Sequence, residues 1–280
     1  MRLRSTARGL AAAVLATSAC LAGCTDTVGG KGTALAPACP AAFFAAPGSG
    51  EGLANPAPSA VPDGLSAADV AAYGVTMTVF TSALVEIAGK GHVTTAALDY
   101  PAIPSNAYLG ARGLSPALDK SERAGATALV TAVRARWTRS CPARPILLAG
   151  YSQGAEVVVR AVGELTAAQQ KHVSVVLFGN PSYEPGEPGD YPGHTGAAGL
   201  RPTFLDGQAF RLPEPVRRRT LDVCAPGDPV CGVQAGLLTV VQRLYWVYRH
   251  AGIHSTAYRT DAGGYTRHAA QFLWAHRTVK

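Results

Sequence analysis

Ile146-Leu147-Leu148-Ala149 is a fully apolar run that feeds directly into Gly150-Tyr151-Ser152-Gln153-Gly154, and a helical stretch from Ala155 to Leu165 leaves it without a linker. A bare Gly-x-Ser-x-Gly means little in a chain of 280 residues with 31 glycines. Its setting is what constrains the fold. A strand that turns into a helix within one residue leaves the central serine on a strained elbow, its hydroxyl standing clear of the sheet, and only small flanking residues let such a turn close. The chain must therefore supply a buried sheet with a helix packed directly against it.

The rest of the chain fits that demand. Ala42 to Ala46 reads as a short strand stopped by Pro47-Gly48. Ser66 is placed to cap a helix running to about Gly89, with Val70, Val75, Val79, Leu84 and Ile87 giving much of its apolar face. Val93 to Leu98 reads as a strand and Ser115 to Trp137 as a helix, with Leu129, Val133 and Trp137 on one stripe. Val173 to Phe178 is a continuous apolar strand ended by Gly179-Asn180-Pro181. Tyr183 to Pro202 reads as a Gly/Pro-rich surface loop, Leu221 to Cys224 as a late strand, Leu237 to His250 as a helix and Tyr265 to Arg277 as the closing helix. Strands that alternate with helices need crossover connections, so the expected fold class is α/β, a central parallel sheet covered on both faces.

The first residues point to export. Met1 to Arg8 holds three arginines and no acid, and the uncharged stretch Gly9 to Ala22 is too short to span a bilayer, since that takes about 18 residues. It ends in Leu21-Ala22-Gly23-Cys24, which resembles a bacterial lipobox. Residues 1–23 are thus expected to be a signal peptide, Cys24 the site of lipidation, and residues 24–38, rich in Gly, Thr, Ala and Pro, a flexible tether to a domain covering 39–280. The alternative is an ordinary secretory signal that happens to hold a cysteine.

Composition narrows the function classes. With 48% hydrophobic and 15% charged residues the chain has a sizeable core and is no solvating disordered polymer. Its formal charge of +7 falls to +4 once Arg2, Arg4 and Arg8 leave with the leader, and Arg217-Arg218-Arg219 is the only basic triplet, so a solvated loop is the reading and no nucleic acid is expected as partner. Export favours disulfides among Cys39, Cys141, Cys224 and Cys231. Cys224 and Cys231 are seven apart with two prolines between them, a spacing that suits no zinc site, and neither metal nor cofactor is expected.

A serine hydroxyl needs a base, and that base needs an acid to fix its tautomer. Cys224-Ala225-Pro226-Gly227-Asp228-Pro229-Val230-Cys231 offers Asp228 in a rigid loop after a strand, and Ile253-His254-Ser255-Thr256-Ala257-Tyr258 offers His254 before the last helix. The Gly-Tyr-Ser-Gln-Gly elbow eleven residues after Cys141, the Gly-Asp-Pro-Val-Cys loop and this late histidine together resemble the cutinase family of serine esterases, from about Cys39 to the end of the chain.

That resemblance implies a three-layer α/β-hydrolase fold of the compact cutinase type without a lid domain. It implies Ser152 as nucleophile, Asp228 as orienting acid and His254 as base, with disulfides Cys39–Cys141 and Cys224–Cys231. Pro47-Gly48-Ser49-Gly50-Glu51 matches the family's Arg-Gly-Ser/Thr-x-Glu turn, which implies an oxyanion hole from Ser49 and the backbone N–H of Gln153. Two departures stand out: Pro47 replaces the usual arginine, and His254 is four residues before Tyr258 where the family usually shows three. The implied activity is hydrolysis of carboxylic esters of lipids or polyesters by a monomer that is secreted or held at the outer face of the membrane by Cys24. Acyl transfer by the same machinery, or a non-catalytic surface-binding protein on a hydrolase scaffold, are the alternatives.

Other candidates are read differently. Asp222 lies at strand parity between Leu221 and Val223 and is expected to be a surface or hydrogen-bonded carboxylate. His250 is expected to be a cation at a helix C-terminus. His92, His172, His194, His268 and His276 have no motif around them and read as surface or locally bonded.

Overall fold

The computed structural model describes residues 39–52, 67–104, 109–110, 113–114, 116–138, 141–191, 198–204, 209–233, 240–260 and 264–277. The expected leader, Cys24, the tether, and the helix-starting residues Ser66, Ser115 and Leu237 lie outside them, as does His194.

In chain order the elements are β1 (Ala41–Ala46), α1 (Ala67–Ala88), β2 (Val93–Ala97), β3 (Leu109–Gly110), β4 (Gly113–Leu114), α2 (Pro116–Arg136), β5 (Ile146–Tyr151), α3 (Gln153–Glu164), α4 (Ala167–Gln170), β6 (Val173–Phe178), β7 (Asp190–Tyr191), α5 (Leu200–Phe204), α6 (Glu214–Arg217), β8 (Thr220–Val223), α7 (Val240–Thr256) and α8 (Tyr265–Ala275). Six strands form one sheet in the order β2-β1-β5-β6-β8-β7, and every pairing in it is parallel.

Alternation along each strand splits the core into two layers. Phe44, Leu148, Val175 and Leu177 face α2 and α3, meeting Leu129, Val133, Val158 and Val162. Their neighbours Phe43, Leu147, Val176 and Phe178 face the opposite way, toward Tyr73, Met77, Phe80 and Leu84 of α1 and Ala269, Ala270 and Leu273 of α8. β1, β5 and β6 are buried along their whole length, which is why they read as unbroken apolar runs. Each large core side chain contributes about 1.5–3 kcal/mol of burial. Disulfides Cys39–Cys141 and Cys224–Cys231 are both formed.

Four details differ from the sequence reading. The inner stripe of α1 is Tyr73, Met77, Phe80 and Leu84, continued by the partly buried Ile87, whereas Val75 and Val79 fall on the other side of the helix by its 3.6-residue period and are only partly buried. The stretch Tyr183 to Pro202 is not loop throughout: Asp190–Tyr191 pairs with β8 as an edge strand and Leu200 opens α5, elements too short to show a hydrophobic period. Helix α7 runs past His250 to Thr256. Gly252 does not break it, since Ala257 N–H still donates to the Ile253 carbonyl, and Thr256 Oγ1 donates to the Gly252 carbonyl at 2.7 Å. His250 is therefore mid-helix, stacked on Trp246, and His254 sits in the last turn of α7.

Candidate active site

The three residues singled out by motif come from distant parts of the chain and meet beyond the C-terminal edge of the sheet, where open α/β sheets place their ligands. Ser152 follows β5 and opens α3. Among the described residues it is the one non-glycine with positive φ, at 54°, so the elbow is strained where the hydroxyl must project. Its flanking glycines are required by packing: a Cβ on Gly150 would lie 2.3 Å from the Gly154 carbonyl oxygen, and one on Gly154 would lie 2.2 Å from that of Ala46.

His254 Nε2 is 3.0 Å from Ser152 Oγ, and its Nδ1 is 3.0 Å from both Asp228 carboxylate oxygens. Asp228 is wholly buried in the Cys224–Cys231 loop. Burial alone would raise its pKa. The facing His254, the Tyr258 hydroxyl and the Val230 N–H outweigh this and hold the carboxyl below its ordinary range. Tyr258 donates to Asp228 Oδ2 at 2.5 Å while accepting from Ala225 N–H at 2.9 Å. Tyr151 stacks on the His254 ring at 4.9 Å and donates its hydroxyl to the His254 carbonyl at 2.8 Å. The imidazole is thereby fixed by contacts on its face, its backbone and both ring nitrogens.

On the other side of Ser152 the turn after β1 brings Ser49 to Gln153, with Ser49 Oγ 3.5 Å from Gln153 Oε1. Gln153 Nε2 in turn donates to Ser121 Oγ at 2.8 Å. Glu51 braces this turn by accepting from Gly48 N–H at 3.2 Å, with Arg259 Nη2 at 3.6 Å from its carboxylate. Burial raises the Glu51 pKa against those contacts. Pro47, standing where the family has arginine, lends its carbonyl to the Tyr100 hydroxyl at 2.6 Å.

Beneath α3 lies a charge network that the sequence reading missed. Arg201 pairs with Glu156 and Glu122, and Arg160 with Glu122 and Asp119, while both guanidinium groups cover the Phe210 ring. The two glutamates are almost fully buried. Burial first, then the Glu156 charge, pushes Glu122 up to about 9. For Glu156 burial again acts to raise the pKa, but the Arg201 contact prevails and the net shift is downward. Glu156 and Arg160, charged residues among the valines of the stretch Ala155 to Leu165, were the available sign of it.

The remaining candidates stay apart from Ser152. Asp222 accepts from Asn180 Nδ2 at 2.7 Å and is raised to about 8 by burial. Arg217 pairs with Glu187 and Glu214, Arg218 with Glu214, and Arg219 donates to the Val173 and Gln170 carbonyls. His172 packs edge-on to Trp137, His268 stacks on Tyr191, and His276 Nδ1 lies 2.9 Å from the Phe272 carbonyl oxygen. Among the described residues no group of three or more His, Cys, Asp or Glu is placed to hold a metal ion.

A six-stranded parallel sheet with this elbow defines an α/β hydrolase. Two solved structures share its architecture: a cutinase-like protein from Cryptococcus sp., with TM-score 0.51 and 23% identity over 80% of this chain and 94% of that one, and an acetylxylan esterase, with TM-score 0.56 and 21% identity over 86% and 100%. Residues 66–273 match the family model for cutinase, and the chain belongs to that family. Among curated relatives, Cutinase CUT1 of Coprinopsis cinerea is 34% identical over 122 residues, 43% of this chain and 56% of the relative. Carboxylesterase Culp1 of Mycobacterium tuberculosis is 33% identical over 98 residues, 34% of this chain and 38% of the relative. The chain thus matches about half or less of the length of these relatives.

Proposed function

We propose that the protein is a serine carboxylesterase, secreted or anchored at the cell surface, that cleaves carboxylic esters of lipids or polyesters through an acyl-enzyme. The observation that carries this reading is the continuous chain Ser152 Oγ–His254–Asp228, each step 3.0 Å. In the reaction His254 Nε2 takes the Ser152 proton as Oγ attacks the ester carbonyl carbon. The developing alkoxide is held by Gln153 N–H and Ser49, and Asp228 accepts from His254 Nδ1–H and stabilises the imidazolium. His254 returns its proton to the departing alcohol. Water, deprotonated by the same imidazole, then releases the carboxylic acid and restores Ser152. No step calls for a cofactor. The export-type leader and Cys24 support the location, with residues 24–38 as the tether.

The test is labelling by a fluorophosphonate together with turnover of p-nitrophenyl esters of increasing acyl length. Ser152→Ala is expected to lose labelling and several orders of magnitude in kcat while melting as a folded protein. Turnover by the purified variant within a few-fold of the wild type would overturn the assignment.

A further inference from the structure

Among the described residues three large apolar side chains are strongly exposed: Val241 (75%), Tyr245 (64%) and Tyr248 (80%). All three are on α7. Their spacing of four and three places them within about 60° of one another on the helix, at about 100° per residue. On the same count His254 lies on the opposite side, where it meets Ser152 and Asp228. The helix therefore forms the outer wall of the active site, with the base on its inner side and an aromatic stripe facing outward. Tyr248 is only about 9 Å of helix from His254.

Charge says what this stripe fits. Val240–Thr256 contains no Asp or Glu, and the exposed Arg249 flanks Tyr248. Two tyrosines and a valine cover far less than the roughly 800 Å² per partner that a stable protein interface buries. They do match an interfacial helix, in which shallow burial of aromatic rings at headgroup level combines with the attraction of arginine to anionic lipid. We infer that the outer face of α7 docks on an anionic lipid surface and so holds the catalytic cleft against the layer that presents its ester. This inference rests on the esterase reading above.

The sheet, both disulfides and the Ser152–His254–Asp228 chain all lie within Cys39–Lys280, which is a compact unit, so that unit is used free of leader and acyl chain. In the Ser152→Ala background its co-sedimentation with equimolar phosphatidylglycerol–phosphatidylcholine vesicles is compared with that of Val241→Gln, Tyr245→Gln, Tyr248→Gln on the same background. Vesicle affinity is expected to fall at least about tenfold. With Ser152 restored, the triple variant should keep kcat/KM on a soluble short-chain p-nitrophenyl ester and lose a similar factor on an ester embedded in the vesicles. Absence of vesicle binding by the parent unit, or equal binding by the variant, overturns the inference. So does a dimer that the triple change dissociates, since the stripe then belongs to a second copy. Failure of the wild type to cleave the soluble ester would count against the esterase reading alone, because vesicle binding is measured without Ser152.

Discussion

Tyr258→Phe removes one oxygen from the interior, and the structure says what that oxygen holds. The side chain is 1% exposed, so a phenyl ring fills the same space and the loss is confined to polar contacts. The hydroxyl supplies one of the hydrogen bonds to the Asp228 carboxylate and takes up the Ala225 N–H. A hydrogen bond to a charged group contributes about 1.5–3 kcal/mol, and a buried N–H left unpaired costs about 1–3 kcal/mol. A loss of about 3 kcal/mol is expected, and at about 2–4 °C per kcal/mol for a domain of this size Tm falls by about 6–12 °C. Asp228 has a depressed pKa in the folded state, so it contributes stability above its ordinary value of 3.8 that is lost as pH falls. Tyr258 supports part of that depression, and the gap between wild type and variant should narrow on acidification. A carboxylate displaced by a fraction of an ångström also misdirects His254, so kcat should drop about tenfold. Urea unfolding across pH and steady-state kinetics on a soluble ester measure both. A variant within about 0.5 kcal/mol and twofold of the wild type would falsify the view that Tyr258 holds the acid.

Two further outcomes follow from buried features. Cys224→Ala with Cys231→Ala opens a loop of sequence separation 7 and should lower kcat far more than Tm, whereas Cys39→Ala with Cys141→Ala opens one of separation 102 and should lower stability by up to about 4.7 kcal/mol. Thermal melts and specific activity of the folded fraction separate the two. Glu122 is raised from 4.5 to about 9, so the folded state holds a proton that the unfolded chain releases, and the stability it confers is lost as pH rises through that window. Glu122→Gln should flatten the decline in stability between about pH 4.5 and pH 9 in urea unfolding.

The sheet was legible because its central strands are buried on both faces and carry no polar residue except Ser174. The elbow was legible because strand, glycines and helix abut without a linker. Asp228 and His254 were found by motif context, and their meeting with Ser152 depends on strand order, which no local pattern encodes. The edge strand Asp190–Tyr191 escaped notice because two residues carry no period. Helix α7 was cut short because nothing local announces that the helix continues through Gly252 to Thr256. The Glu122–Glu156–Arg201 network was hidden for a related reason: its members stand 34 and 45 residues apart, and only packing of α3 against α2 and α5 brings their charges together.

The order of the strands also sets when a working site can exist during folding. Ser152 precedes its two partners by a long way, Asp228 coming 76 residues later and His254 102 residues later. Contacts of such long range form late, after loop closure has been met. A chain not yet folded beyond β5, with Cys224 and Cys231 still reduced, carries the serine without its contacts to His254 and Asp228. The Ser152–His254–Asp228 chain is thus withheld by topology until the segment carrying Asp228 and His254 has docked.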